Sequence, residues 1–345
     1  MATNMILTGD VNLMNVTDPA VPFSLVQQEF RTADIVFSNL ECCLYQPSGG
    51  HAVEHEGFFA DPDVAGKALQ TGGIQAVGLA NNVNYGEAAI TASIARLDEL
   101  GIVHAGAGAN LTRARAPAIL MRNGVRFGFL QRSSVYWPTN HEAGEATSGI
   151  AVIRGHTAYH VPMHGSRPPA NRPGIPPEIM TWADPIYLRW LEEDIAALRR
   201  EAEVVVASFH WGLHKEVLHY MNEIAHRAID AGADLVIGHG PHYSLPVEVY
   251  RGVPVFYGLG SFSFHTGHGR RQHGDWLGMM VRVSWDGARV GRAAFQFVRH
   301  DRHNRTVLCR LADEGTAFDE IAQQSTRLSA RFSPRGDEVE IDLQT

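Results

Sequence analysis

Val204-Val205-Val206-Ala207-Ser208-Phe209-His210-Trp211-Gly212 and Asp234-Leu235-Val236-Ile237-Gly238-His239-Gly240-Pro241-His242 each run an apolar stretch into histidines. Residues 204–209 and 234–237 lack a regular polar alternation, the pattern of strands buried on both faces in a parallel sheet covered by helices. Open α/β sheets bind ligands outside the carboxyl ends of such strands. Imidazoles gathered there predict a metal site that includes His210, His239 and His242.

Upstream segments supply oxygen ligands in the same setting. Met5-Ile6-Leu7-Thr8-Gly9 runs into Asp10, and Asp34-Ile35-Val36-Phe37-Ser38-Asn39-Leu40 runs into Glu41. A third run, residues 74–79, leads to Asn81-Asn82. Mixed oxygen and nitrogen ligation suits Mn, Fe or Zn better than Ca or Mg, which favour all-oxygen shells. Six or so protein ligands exceed the needs of one four-coordinate ion. A dinuclear site with a bridging carboxylate would use them all.

Each residue also has a plainer reading. A single Asp or Asn after a strand is often a helix cap or turn residue, and Asn81 fits that role. His239 and His242 could frame a turn around Pro241. Convergence of five strand ends in one α/β pattern favours the metal site.

Elsewhere strand-like and helix-like segments alternate, which predicts a layered α/β fold. Residues 22–33, 87–100, 184–200 and 216–231 have helical spacing, with Leu188, Leu191, Ile195 and Leu198 on one stripe and Gly232 at a helix end. Asn123-Gly124, Arg251-Gly252 and Asp286-Gly287 read as hairpin turns. Between 136 and 183 the alternation fails; this Pro-, Gly- and His-rich stretch, with Trp137, His141, His156, His160 and His164, reads as an insertion over the site. The expected organisation is an α/β domain over residues 1–300, with 136–183 inserted, and an extension of unassigned role over 301–345. Arg299 to Arg305 reads as a solvated tail.

At 345 residues and 45% hydrophobic content the chain can bury a large core, and 19% charged residues exclude a disordered polyelectrolyte. A net charge of -8 argues against a nucleic-acid partner. The first strand starts close to Met1 and no run approaches the ~20 apolar residues of a membrane helix, so a cytoplasmic location without a membrane span is expected. Cys42, Cys43 and Cys309 form neither a disulfide framework nor a Cys-x-x-Cys knuckle. The first two are expected to pack beneath the site.

Taken in order, several pieces resemble the CapA-type proteins of bacterial poly-γ-glutamate capsule synthesis, a branch of the calcineurin-like metallophosphoesterase superfamily. They are Leu7-Thr8-Gly9-Asp10, Ser38-Asn39-Leu40-Glu41, Leu79-Ala80-Asn81-Asn82 with Tyr85-Gly86, His210-Trp211-Gly212, the segment from Asp230 through His239 to His242, and Tyr257-Gly258-Leu259-Gly260-Ser261-Phe262. The resemblance implies an α/β/β/α sandwich of the metallophosphoesterase type. It also implies two divalent transition ions (Mn, Zn or Fe), with Asp10 and His242 on the first, Glu41 bridging, and Asn82, His210 and His239 on the second. Asn12 stands where the superfamily has the histidine of a D-x-H pair, and is a further candidate ligand.

The departures from the family pattern bear on chemistry. Val83 replaces the histidine that resembles the superfamily's leaving-group acid, Gly240 replaces a histidine, and Ser261 an asparagine. General acid help is worth ~100-fold to ~10,000-fold, so another donor is expected: His265, leaving a strand over residues 255–264, or His214 and Glu216, with Lys215 between them. The expected activity is a metal-dependent hydrolase cleaving an amide or peptide-like bond, γ-glutamyl bonds among them, in a small molecule or peptide, in preference to a phosphoester. Two other classes stay open: a metal-assisted peptide or amino-acid epimerase, and a non-catalytic capsule-precursor binding protein.

Overall fold

In the computed structural model, residues 2–47, 57–137, 141–160, 176–212, 214–267, 271–272 and 274–344 are described. Two sheets face each other. One has ten strands; its central path runs Gly278–Asp286, Thr3–Asn12, Ile35–Leu40, Ala76–Gly78 and Val103–Ala105, with the last four parallel. The other has six, ordered Val247–Tyr250, Val253–Phe256, Leu235–His239, Val204–His210, Val125–Ser133 and Ala118–Arg122, with the middle four parallel.

Side chains alternate across each strand, and that alternation builds three cores. Met5, Leu7 and Phe37 point inward to meet Phe129, Val206 and Ile237 of the facing sheet, with Phe37 stacked on Phe129 at 5.2 Å. Ile6, Val36 and Val77 point outward onto Leu69, Ile90 and Leu97 of the helices Pro62–Gly72 and Glu87–Leu100. Val205, Ala207 and Val236 meet Leu188, Leu191, Ile195, Met221 and Ile224 of the helices Pro185–Leu198 and His219–Asp230. The layers are thus α/β/β/α, and the runs are continuously apolar because both faces of each central strand are covered.

Local signals explain most boundaries. Asp184 caps its helix by accepting from Ile186 and Tyr187 N–H, with Pro185 at the first helical position. Asn123-Gly124 and Arg251-Gly252 all take positive φ, as two-residue hairpins require. The helix Pro62–Gly72 was not expected, although Asp61, Pro62 and the left-handed Gly73 mark both its ends.

Four expectations need correction. Of residues 22–33, only Gln27–Thr32 is helical. The single strand over 255–264 is two strands in different sheets, Val253–Phe256 and Ser261–Phe264. Gly258 and Gly260 let the chain cross: a Cβ at Gly258 would stand 2.9 Å from Tyr243 O, and Gly260 has φ +65°. Arg299 is no solvated tail; it lies within the strand Arg289–His300 and pairs with Glu314 and Asp275. Within 301–345, Thr306–Leu308, Phe332–Arg335 and Glu338–Ile341 add strands to the ten-stranded sheet.

In the 136–183 stretch, Gly155–His160 and Glu178–Ala183 form an exposed antiparallel ribbon, where His156 pairs with Asp184 and His160 with Glu178. His164 lies outside the described residues. Among the described residues no helix is long and apolar enough to cross a membrane.

Candidate metal centre

Five of the predicted ligands meet at one end of the sandwich. Asp10 comes from the strand Thr3–Asn12, and its N–H donates to Gly260 O (2.9 Å) as the chain crosses between sheets. Gly9 permits that approach, since a Cβ there would fall 1.9 Å from the same oxygen. Glu41 follows Ile35–Leu40 directly and is tied by its N–H to Val11 O. His210 and His239 end adjacent parallel strands and are register partners. His242 sits three residues further on, at φ +63°.

The ligand atoms converge. Asp10 Oδ2 lies 3.1 Å from His242 Nδ1, Asp10 Oδ1 3.5 Å from His239 Nδ1, and Glu41 Oε1 3.6 Å from His242 Nε2 and 3.9 Å from His210 Nε2. One ligand atom from each of Asp10, Glu41 and His242 fits within 4.8 Å of the others. All but His242, whose side chain is 28% exposed, are buried.

Buried polar atoms are normally satisfied, and here several are not. Asp10 Oδ2, His210 Nε2 and both ring nitrogens of His239 are buried without a hydrogen-bond partner. Ser133 Oγ donates to Val135 O (2.6 Å), so its contact with His210 Nδ1 (3.2 Å) is one in which the ring nitrogen donates. That tautomer leaves the Nε2 lone pair aimed at Glu41, as a metal ligand needs. The donor set therefore fits a divalent transition ion.

Electrostatics point the same way. Burial raises the Glu41 carboxyl well above its usual range and neighbouring Asp10 adds to the rise. At Asp10 burial also pushes upward, but the imidazoles of His239 and His242 outweigh it and hold the carboxyl well below that range. Burial pushes His210 down to about 3, so it stays neutral and ligand-competent. A cation would relieve the strain between the two carboxylates.

The other candidates are placed differently. Asn82 is half-buried in the turn after Ala76–Gly78, and its carbonyl accepts from the Trp137 indole (3.1 Å). Asn81 is the turn residue: its Oδ1 accepts from Val83 and Asn84 N–H. Asn12 binds backbone at both ends of its amide, accepting from Met14 N–H and donating to Thr266 O. The His265 ring meets His300 at 5.7 Å, while His214 and Glu216 are exposed beyond the His210 strand. Val83 is buried. A Cβ at Gly240, where φ is +105°, would come within 3.0 Å of His210 Nε2, so glycine leaves that ligand room. Burial pushes Cys42 and Cys43 up to about 12, which keeps both as packed thiols.

His141, named in the sequence only as part of the insertion over the site, accepts at Nδ1 from Trp137 N–H and donates its Nε2–H to Asn84 O, stitching the insertion to the Asn81–Asn84 turn. Sequence reasoning gave no role to Asn39 or Gln131. Asn39 stands two before Glu41 and so on the same face; Gln131 is a buried polar break in an apolar strand.

Residues 4–266 match the model of the bacterial capsule synthesis protein family, PGA_cap. The chain belongs to this family. All six expected ligands fall within the matched stretch. A Mycobacterium tuberculosis protein named "probable polyglutamine synthesis accessory protein" is 31% identical over 189 residues, covering 53% of this chain and 43% of that one. The Bacillus subtilis "PGA biosynthesis protein CapA" is 26% identical over 251 residues, covering 71% of this chain and 57% of its own length. The matches thus span about half the length of these relatives. Among solved structures, a hypothetical protein from Thermus thermophilus aligns over 87% of this PGA_cap chain and all of its own, with 13% identity and a TM-score of 0.49.

Proposed function

We propose that this PGA_cap protein is a metal-dependent hydrolase of amide or peptide-like bonds, γ-glutamyl linkages among them. The observation that carries the reading is the set of orphaned, inward-facing ligand atoms on Asp10, His210 and His239 beside the conflicting Glu41 carboxylate. Asp10, Glu41, His210, His239 and His242, with Asn82 as the sixth candidate, would hold one or two Mn, Zn or Fe ions. When bound, such an ion lowers the pKa of a coordinated water and polarises the scissile carbonyl.

The chain's own residues shape the rest. Asp10, Glu41, His210 and His239 are sealed, so substrate approaches on the side of half-exposed His242. The Ser133 contact fixes the His210 tautomer. Val83 has no proton to give, which removes the group that would serve an unactivated phosphomonoester. An amine leaving group, by contrast, becomes basic enough during the reaction to take its proton from water. The names of the tuberculosis and Bacillus relatives, both tied to polymers joined by amide bonds, favour the same substrate class.

The test is turnover of γ-glutamyl and α-glutamyl anilides alongside phenyl and alkyl phosphates, with Mn²⁺ or Zn²⁺ restored. Amide cleavage that is lost with chelator and in Glu41→Gln is expected. Phosphate release without amide cleavage would overturn the substrate assignment.

A further inference from the structure

Beneath the ligands, four buried side chains form a directional hydrogen-bond network between the two sheets. Ala80 N–H, which can only donate, binds Gln131 Oε1 at 2.7 Å. That fixes the orientation of the Gln131 amide and turns its Nε2 to donate to Asn39 Oδ1 (3.0 Å) and Ser208 Oγ (3.2 Å). Asn39 Oδ1 also accepts from Asn81 Nδ2 (3.3 Å). With its oxygen so engaged, Asn39 presents Nδ2 to Asp10 Oδ1 (2.8 Å) and more loosely to Glu41 Oε2 (3.5 Å). Asn39, Gln131, Ser208 and Asn81 are all fully buried.

We infer that Gln131 and Asn39 are positioning residues: a relay from the six-stranded sheet that holds both carboxylates of the metal centre by their outer oxygens and leaves the inner ones for ligation. A second observation supports this. Gly78 lies in a parallel strand where glycine costs stability, and a Cβ there would fall 2.3 Å from Gln131 Cδ and 2.4 Å from its amide atoms. The strand gives up a side chain so that the Gln131 amide can cross from one sheet to the other. Ligands fixed by such outer contacts typically lose 10–100-fold in metal affinity, as an order of magnitude, when the contact is removed.

The inference rests on the metal-binding reading, and calorimetric titration with Mn²⁺ and Zn²⁺ separates the two. Gln131→Glu keeps the shape and still accepts from Ala80, but its carboxylate cannot donate to Asn39. It should weaken binding about 10–100-fold and shift the visible spectrum of the Co²⁺-loaded protein, whereas Ser208→Ala should do neither. In an Asn39→Ala background, Gln131→Glu should cause no further loss. Wild-type affinity and spectrum in Gln131→Glu, or a loss that adds in full to that of Asn39→Ala, would overturn the relay. Should Gln131→Glu fail to fold, Gln131→Met, which donates nothing and carries no charge, tests the same point. If the wild type binds neither metal, the functional reading falls. The relay then stands or falls on whether the Asn39 and Gln131 substitutions are non-additive in the stability of the metal-free protein.

Discussion

Glu41→Gln should move stability in opposite directions with and without metal. In the metal-free protein Glu41 is buried beside Asp10, and its folded-state carboxyl lies well above the ordinary value of 4.5. A raised folded value contributes stability that is full below 4.5 and is lost as pH rises, the reverse of an ordinary paired carboxylate. From 4.5 to pH 7 is about 2.5 units, at roughly 1.4 kcal/mol each, so the cost at neutral pH is at most about 3.5 kcal/mol. A glutamine, uncharged and of similar shape, removes it. At about 2 °C per kcal/mol for a chain of this size, the metal-free variant should melt above wild type, by up to about 7 °C. Metal at 100 times its Kd stabilises wild type by about 2.7 kcal/mol, or about 5 °C, while a variant bound 100-fold more weakly gains under about 1 °C. Thermal melts at pH 7 in chelator and in excess Mn²⁺ or Zn²⁺ measure both effects. A lower melting temperature for the metal-free variant, or an undiminished gain with metal, would refute the view that Glu41 is kept at a cost for ligation.

His210→Ala removes a neutral imidazole whose Nε2 faces Glu41, and elemental analysis should show metal content falling by about one ion per chain; unchanged content would remove His210 from the centre. Asn12→Ala should leave metal content intact, because both ends of its amide serve backbone, and cost about 1–2 kcal/mol in denaturant unfolding. A loss of metal instead would restore Asn12 as a ligand. His141 is pushed by burial from 6.5 down to about 4. Its depressed folded value means stability is retained above 6.5 and lost as pH falls toward 4, by about 1 kcal/mol per unit. His141→Gln should flatten that part of the metal-free protein's stability profile, and an unchanged slope between pH 6.5 and 4 would show that His141 does not set it.

The strand ends were legible because burial on both faces writes itself as unbroken apolar runs, and because aspartate, glutamate and histidine rarely follow such runs in succession by accident. Hairpins were legible where two residues must both take positive φ. The crossing at 257–260 was not, since an apolar run punctuated by glycines looks alike whether it stays in one sheet or changes to another. The strands Phe332–Arg335 and Glu338–Ile341 were hidden for another reason: only Val339 and Ile341 are buried there, while Glu338 and Glu340 pair with Arg292. Asn39 and Gln131 show a third kind of blindness. Their meaning lies in a contact between sheets 92 positions apart in sequence, which no local pattern encodes.

The crossing at 257–260 also sets how the molecule can come apart. Leu259 donates its N–H to Gly238 O in the six-stranded sheet (2.9 Å), and its C=O accepts from Met279 N–H in the ten-stranded one (2.7 Å), so one residue laces both layers. The sandwich is like a book bound along the edge where the histidines and carboxylates sit. Partial openings, which proteins sample well below the cost of global unfolding, should begin at the opposite edge, near the Asp286-Gly287 hairpin, where side chains such as Asn123, donating to Thr3 Oγ1, bridge the sheets. Amide protons there should exchange with solvent first, and those of Gly238, Leu259 and Asp10 last. Breathing motions of the layers would then pass without scattering the ligands, and a bound ion would leave only when the spine itself gives way.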